Sequence, residues 1–322
     1  MVLQQLINNV NYYKLFVVLN MWNVRRFKHF SGFLQTLSCV VALGLFIIFP
    51  GCTIEDFSPR FNRDSSKKAP KKTETAAVSS GCSTAGTPFG GGDGSTATPF
   101  LICTETHLLN VNTSTEYTGK DFQLAANITI TAASVQPLFY QTVFNGTFNG
   151  ADYTITNLNY RKPYDQSGSL WVAFIAQTSS TAVVKNLILE NPVYYAGNTV
   201  GAVVGANFGT IDRVSVLNGN ISGANNIGGI AGMNYGTVSN VFFEGTVSGS
   251  QGIGGIVGTN QTTVNLATIT KAYSSGIVVG NMLVGGITSQ HYGLSISESV
   301  STSTVVLSQI QSSGTSVQYG AG

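Results

Sequence analysis

Charged side chains are scarce: 16 Lys and Arg with 14 Asp and Glu make up only 9% of the 322 residues. With 43% hydrophobic residues the chain cannot belong to the disordered class, which needs high charge and few apolar side chains. The net charge is +2, and Lys14, Arg25, Arg26 and Lys28 stand unopposed by any acid before residue 52, so the remainder is slightly acidic. That balance speaks against a nucleic-acid partner. Histidine is limited to His29, His107 and His291, none followed by Glu. The His-Glu-x-x-His helix of zinc peptidases is therefore missing. Four cysteines without a matching histidine pair fit no zinc signature, and no Walker or dinucleotide fingerprint occurs. Glycoside cleavage needs two carboxyl groups roughly 5 to 10 Å apart. From Val200 onward the acids are Asp212, Glu244 and Glu298, which fall in different positions of the repeat described below. Upstream, Asp152 and Asp165 are near enough to approach one another, but Asn149-Gly-Ala-Asp-Tyr153 reads as a turn. The expectation is a chain that is not an enzyme, with no catalytic residue, metal or cofactor.

Helix formers are also sparse beyond the N-terminal third, where Thr, Ser, Asn, Gly, Val and Ile dominate and favour strands joined by tight turns. Before that point, Arg25, Arg26 and Lys28 precede a largely apolar run from Phe33 to Phe49 that closes at Pro50-Gly51-Cys52. This is the layout of a bacterial signal peptide over residues 1–51, with Met21 an alternative start. Gly51-Cys52 resembles the lipobox of bacterial lipoproteins, which implies lipidation at Cys52. The resemblance implies a membrane partner held through the lipid, and a place in the bacterial cell envelope at the outer membrane or cell surface. Ordinary cleavage nearby, leaving Cys52 a free thiol, is the alternative. Residues 52–97 are rich in Ser, Thr, Lys, Pro and Gly, with Lys67, Lys68, Lys71 and Lys72 clustered, and read as a flexible linker. Cys82 and Cys103 are candidates for a disulfide in an exported chain. Gly90-Gly-Gly-Asp-Gly94 hints at a calcium turn, but no nonapeptide repeat accompanies it and linker is the preferred reading.

Self-similarity is the strongest signal. Val200-Gly-Ala-Val-Val-Gly-Ala-Asn207 is followed by Ile227-Gly-Gly-Ile-Ala-Gly-Met-Asn234 and Ile253-Gly-Gly-Ile-Val-Gly-Thr-Asn260. Val284-Gly-Gly-Ile287 and a degenerate Trp171-Val-Ala-Phe-Ile-Ala176 extend the series. Each unit continues into a second run, such as Thr237-Val-Ser-Asn-Val-Phe-Phe243, and a third, such as Gly245-Thr-Val-Ser-Gly249. Short runs cannot bury a core alone, but coils stacked about 4.8 Å apart pair each strand with its counterpart above and below. The expected fold is all-β: a parallel β-helix over residues 98–322, right-handed and of about eight coils. Alternation turns Val238 and Val247 inward, and Ile227 and Ile230 both reach the core. Gly201, Gly228, Gly229, Gly254 and Gly255 fit corners that need positive φ or close backbone approach, and Asn207, Asn234 and Asn260 are placed to form a ladder. One column holds Asn186, Arg213, Asn240, Lys271 and Glu298, making Lys271 and Glu298 an exposed ion pair.

These units resemble the GLUG-motif repeats of bacterial surface proteins. Upstream, Gly92-Asp-Gly-Ser-Thr-Ala-Thr-Pro-Phe-Leu-Ile-Cys103, Phe122-Gln-Leu-Ala-Ala-Asn-Ile-Thr129 and the segment Phe144 to Leu158 resemble the same family's leading strands. The resemblance covers roughly residues 91 to 300 and implies a surface-anchored β-helix used in adhesion. Tyr160, Tyr164, Tyr194 and Tyr195, together with Trp171, fall just before the regular coils and form a candidate face for a glycan or a surface protein. The alternative is that Trp171 and some of these tyrosines plug an irregular core end. A structural envelope spacer and a polysaccharide-active enzyme remain the other readings. Free strand edges at an uncapped end would favour self-association.

Overall fold

In the computed structural model the chain divides into two units, Met1–Thr73 and Glu74–Gly322. The described residues are 81–83, 88–161, 171–261 and 267–308, all within the second unit. Residues 1–51, read above as a signal peptide, and Cys52 lie outside them.

The second unit is a parallel β-solenoid of about six turns rather than eight. Its longest face is a 14-stranded sheet, while the other two faces hold four and five strands. The first rungs therefore lack complete sides, which is why counting sequence units from residue 98 overestimates the coils. The four-stranded face comprises Val200–Gly201, Asn225–Gly228, Gln251–Gly254 and Met282–Gly285. The five-stranded face runs through Ile175–Gln177, Val204–Asn207, Ala231–Asn234, Val257–Asn260 and Thr288–His291. All named pairings are parallel and in register, as Ile227 with Ile253 and Asn234 with Asn260. The second and third runs are not separate strands. They fuse into long bent ones, Thr210–Ser222, Thr237–Ser248 and Thr268–Gly280.

The bend has a visible cause. Asn186, Arg213, Asn240, Lys271 and Glu298 all take positive φ, between 50 and 53°. A second such column, Thr199, Asn226, Gly252 and Leu283, runs along the start of the four-stranded face. One left-handed residue per rung turns the chain through a corner without interrupting the pairing on either side. Asn tolerates that conformation, whereas Arg, Lys, Thr and Leu pay a steric cost of roughly 1–2 kcal/mol. Lys271 gains little in return: its ammonium lies 3.9 Å from the Glu298 carboxylate, with both side chains about half exposed or more. Lys271→Asn is expected to raise stability by about 0.5–1 kcal/mol, and Lys271→Val to lower it by at least about 1, read from urea midpoints.

Inside, apolar columns repeat at each rung. Ile211, Val238 and Ile269 stack in register and are fully buried, as are Val216 and Phe243. Val247, Ile227 and Ile230 are equally buried, in agreement with the alternation. The glycine doublets serve close approach rather than positive φ. A Cβ on Gly229 would run into the Gly255 carbonyl and the Phe243 ring, and one on Gly254 into the Val257 carbonyl. Gly201 and Gly228 stand against the carbonyls of Val204 and Ala231, and Gly255 against that of Gly286.

The lower end is closed by phenylalanines. Phe89, Phe100, Tyr117 and Phe122 form edge and tilted contacts at centroid distances of 4.5–5.8 Å. Phe139 stacks on Phe144 at 4.6 Å, and Phe148 meets Phe174 edge-on at 5.0 Å. Phe89, in the stretch read as linker, is thus part of the core. Cys82 and Cys103 form a disulfide beside it, with Cα atoms 6.2 Å apart. Above it sits helix α1, Glu105–Asn110, whose N-terminus is capped by the Thr104 hydroxyl accepting from the His107 amide at 3.2 Å.

Two carboxylates fasten this end. Asp93 accepts from the Thr98 hydroxyl at 2.6 Å and the Ser95 amide at 2.8 Å, so the glycine-aspartate turn is held by its own neighbours. These bonds lower its pKa to about 2. Glu105 accepts from the Thr131 hydroxyl, the Thr131 amide and the Ala132 amide. Burial acts to raise the Glu105 pKa, but the three bonds outweigh it and the net shift is downward. A carboxyl with a lowered folded pKa adds stability that is present above its unfolded value and lost as pH falls through the folded one. The fold is expected to loosen at this end between about pH 4 and 2, and Asp93→Asn with Glu105→Gln to flatten that part of the midpoint-against-pH curve.

Candidate binding face

The strand Asn159–Arg161 pairs with Val193–Tyr195, which pairs in turn with the third run of the next rung. Alternation decides which side chains turn outward. Tyr160, Tyr194 and Ile221 share the inward column and are buried. Arg161, Tyr195 and Ser222 share an outward column, with Tyr195 51% exposed. Of the four candidate tyrosines, then, Tyr160 and Tyr194 belong to the core, Tyr195 belongs to the surface, and Tyr164 lies outside the described residues. Trp171 is half-buried, and a Cβ on Gly205 would strike its Cβ, so it packs against the five-stranded face. The core-end reading thus holds for part of the aromatic group, although the main plug is the phenylalanine cluster.

Tyr194 carries a further oddity. Its phenol oxygen is buried without a hydrogen-bond partner, and burial pushes its pKa upward. It borders a void of about 10 Å³ lined also by Leu108, Leu138 and Phe174, at the lower limit for one water.

The outward face around Tyr195 is polar and aromatic. A guanidinium and a phenol occupy successive rungs about 4.8 Å apart, with Asn159 and Asn220 in the adjacent outward column. Elsewhere aromatic rings are used up by one another. Phe208 stacks on Tyr235 at 4.4 Å and 5°, and Phe242 on Tyr273 at 5.3 Å and 4°. Stacking along the solenoid axis presents ring edges rather than faces to solvent, which suits structure better than a sugar platform.

The asparagine ladder is structural. Asn207 donates to Asn234 at 2.8 Å, and Asn234 donates to Asn260 at 2.7 Å, all three fully buried. Thr178 donates to Asn207 below, and Asn260 meets His291 Nδ1 at 2.8 Å above. Two more asparagine ladders run on the outside, Asn157, Asn191 and Asn218, and Asn198 with Asn225. Asp212 is bound by Ser239 and Asn240 of the next rung and by Arg213 beside it in its own strand, so its charge is spent on these neighbours. Among the described residues no three His, Cys, Asp or Glu side chains come together to hold a metal ion.

No family model matches the chain. It is 29% identical over 194 residues to halomucin of Haloquadratum walsbyi, covering 53% of this chain and 2% of that protein. It is 32% identical over 140 residues to a protein of Evansella cellulosilytica provisionally named a Gly-rich membrane protein, covering 40% of this chain and 15% of the relative. The chain thus spans only a small part of either relative's length. A solved structure of a protein provisionally named an immunoglobulin A1 protease, from Bacteroides ovatus, superposes with a TM-score of 0.53 at 18% identity. It covers 73% of this chain and 86% of that one, a likeness of fold.

Proposed function

We propose that this chain is a non-catalytic recognition module of the cell envelope, a GLUG-type surface protein held by lipid at Cys52, that presents its solenoid to a glycan or surface protein. The observation that carries the reading is the division of labour across one strand. Tyr194 faces the core and Tyr195 faces solvent, with Arg161 beside it in the same outward column. An exposed tyrosine next to arginine on a rigid sheet is a contact pair suited to hydroxyl-rich or acidic ligands. The repeats supply rigidity, and similarity to halomucin and to a named membrane protein supports a place at the envelope.

The test is binding of the intact protein to a glycan array and to a panel of envelope and host surface proteins, with release of reducing ends measured in parallel on bound polysaccharides. Saturable binding to one class without product release is expected. No binding in either panel would leave a spacer, and product release would make the protein an enzyme.

A further inference from the structure

The glycine run Gly90-Gly-Gly-Asp-Gly94 lies against the first strand of the long face, Phe100–Ile102. On one side that strand pairs in parallel with Phe122–Leu124. On the other it meets the run itself: the Gly90 amide donates to the Leu101 carbonyl at 2.8 Å, and the Leu101 amide donates to the Gly91 carbonyl at 2.9 Å. The Asp121 amide reaches the Gly94 carbonyl at 2.9 Å, and the Asn110 side-chain amide reaches the Pro88 carbonyl at 2.8 Å. Residues 88–94 therefore form a flap that covers the strand edge and carries Phe89 into the phenylalanine plug.

Such a flap is costly to keep down. Gly92 and Gly94 hold φ at 83 and 75°, and a Cβ there would strike the Pro99 carbonyl or the Phe100 ring, so glycine is required. Glycine gives up more conformational freedom on ordering than any other residue, and the flap regains it by letting go. The disulfide sits where it opposes that release. The Ser83 amide, next to Cys82, donates to the Gly90 carbonyl at 2.8 Å, and a Cβ on Gly90 would run into the Cys103 sulfur. The bond thus ties the leading end of the flap to the residue that follows the covered strand. Cys103 is buried, whereas Cys82 is half-buried between exposed neighbours.

We propose that the Cys82–Cys103 disulfide is a redox latch: oxidised, it holds the 88–94 flap on Phe100–Ile102, and reduced by a dithiol it lets the flap lift and bare that edge. The exchange balances. One thiolate of the reductant attacks the more accessible Cys82 sulfur and expels Cys103 as a thiolate. The second thiol of the reductant then attacks the mixed disulfide, releasing Cys82 and closing the reductant's own disulfide. Two electrons and two protons pass from the dithiol to the two cysteines. The latch does not depend on what the outer face around Tyr195 binds.

The test follows residue-resolved hydrogen exchange of the intact, folded chain with and without dithiothreitol, with alkylation of Cys82 and Cys103 scored by peptide mapping. The amides of Gly90, Leu101 and Asp121 report on the flap. Those of Phe100 and Ala125, which bond the carbonyls of Asp121 and Ile102, report on the rung-to-rung pairing beneath it. Reduction is expected to speed exchange of the first three by about tenfold or more and to leave the other two within about twofold. Cys82→Ser is expected to show the same pattern without reductant. A disulfide that survives dithiothreitol in the folded chain would overturn the proposal. So would unchanged exchange after reduction, and so would equal acceleration of all five amides, which would make the bond a staple of the whole end. Should Cys82→Ser not fold, the reduced natural chain decides by the same comparison.

Discussion

Asn234→Ala is expected to lower stability by about 3–5 kcal/mol, the largest effect of any polar substitution in the solenoid. The Asn234 amide donates to Asn260 and also reaches the Gly236 and Thr268 carbonyls, while its oxygen accepts from Asn207 and from the Gly236 amide. Removing it takes this partner from the Asn260 oxygen and the Gly236 amide and leaves the Asn207 amide only its longer contacts to the Gly209 and Thr237 carbonyls, in a place where Asn207 and Asn260 are fully buried from solvent. Each orphaned buried group costs about 1–3 kcal/mol, and a partly satisfied network is worse than none. Asn234→Asp should be as damaging, because a carboxylate can accept from Asn207 but cannot donate to Asn260. By contrast, Asn218→Ala on the exposed ladder should cost under about 1 kcal/mol, since water replaces its partner. Chemical denaturation of the three variants checks the contrast.

Gly229→Ala is the second large effect, of at least about 3 kcal/mol. At this corner an added methyl meets the Gly255 carbonyl of the rung above and the Phe243 ring at once. A ring can turn aside, but a carbonyl within a parallel ladder moves only by opening the spacing of two rungs. The double variant Gly229→Ala with Phe243→Leu is therefore expected to recover nothing, because it relieves the softer of the two contacts. A rescue to near wild-type stability would show that the backbone at this corner is free to shift.

Much of this was legible because identical residues recur at nearly constant offsets. Asn207, Asn234 and Asn260 each close the same run of the repeat, and a residue that repeats in a solenoid must stack on itself. The inward valines and isoleucines followed from the period of two, and the Lys271–Glu298 pair from its column. What the repeats do not specify is the phase of strands outside them. Tyr160, Tyr194 and Tyr195 sit in a region broken by the insertion after Arg161, and only pairing with Ile221 and Ser222 decides which of them face inward. The phenylalanine plug was invisible for a related reason: Phe89, Phe100, Phe122, Phe144 and Phe148 meet across rungs of unequal length with no common offset. The left-handed corners at Arg213, Lys271 and Leu283 break local preference, so residue type gave no warning of them there, although Asn186 and Asn240 in the same column did.

The measurement that bears most directly on the account takes neighbouring residues of one strand. Ligand binding and thermal midpoint are recorded side by side for Tyr195→Ala and Tyr194→Ala. The account predicts that Tyr195→Ala weakens binding at least tenfold with the midpoint unchanged, whereas Tyr194→Ala lowers the midpoint sharply through the cavity it opens. Full binding by Tyr195→Ala would contradict it, since the outward face would then carry no recognition.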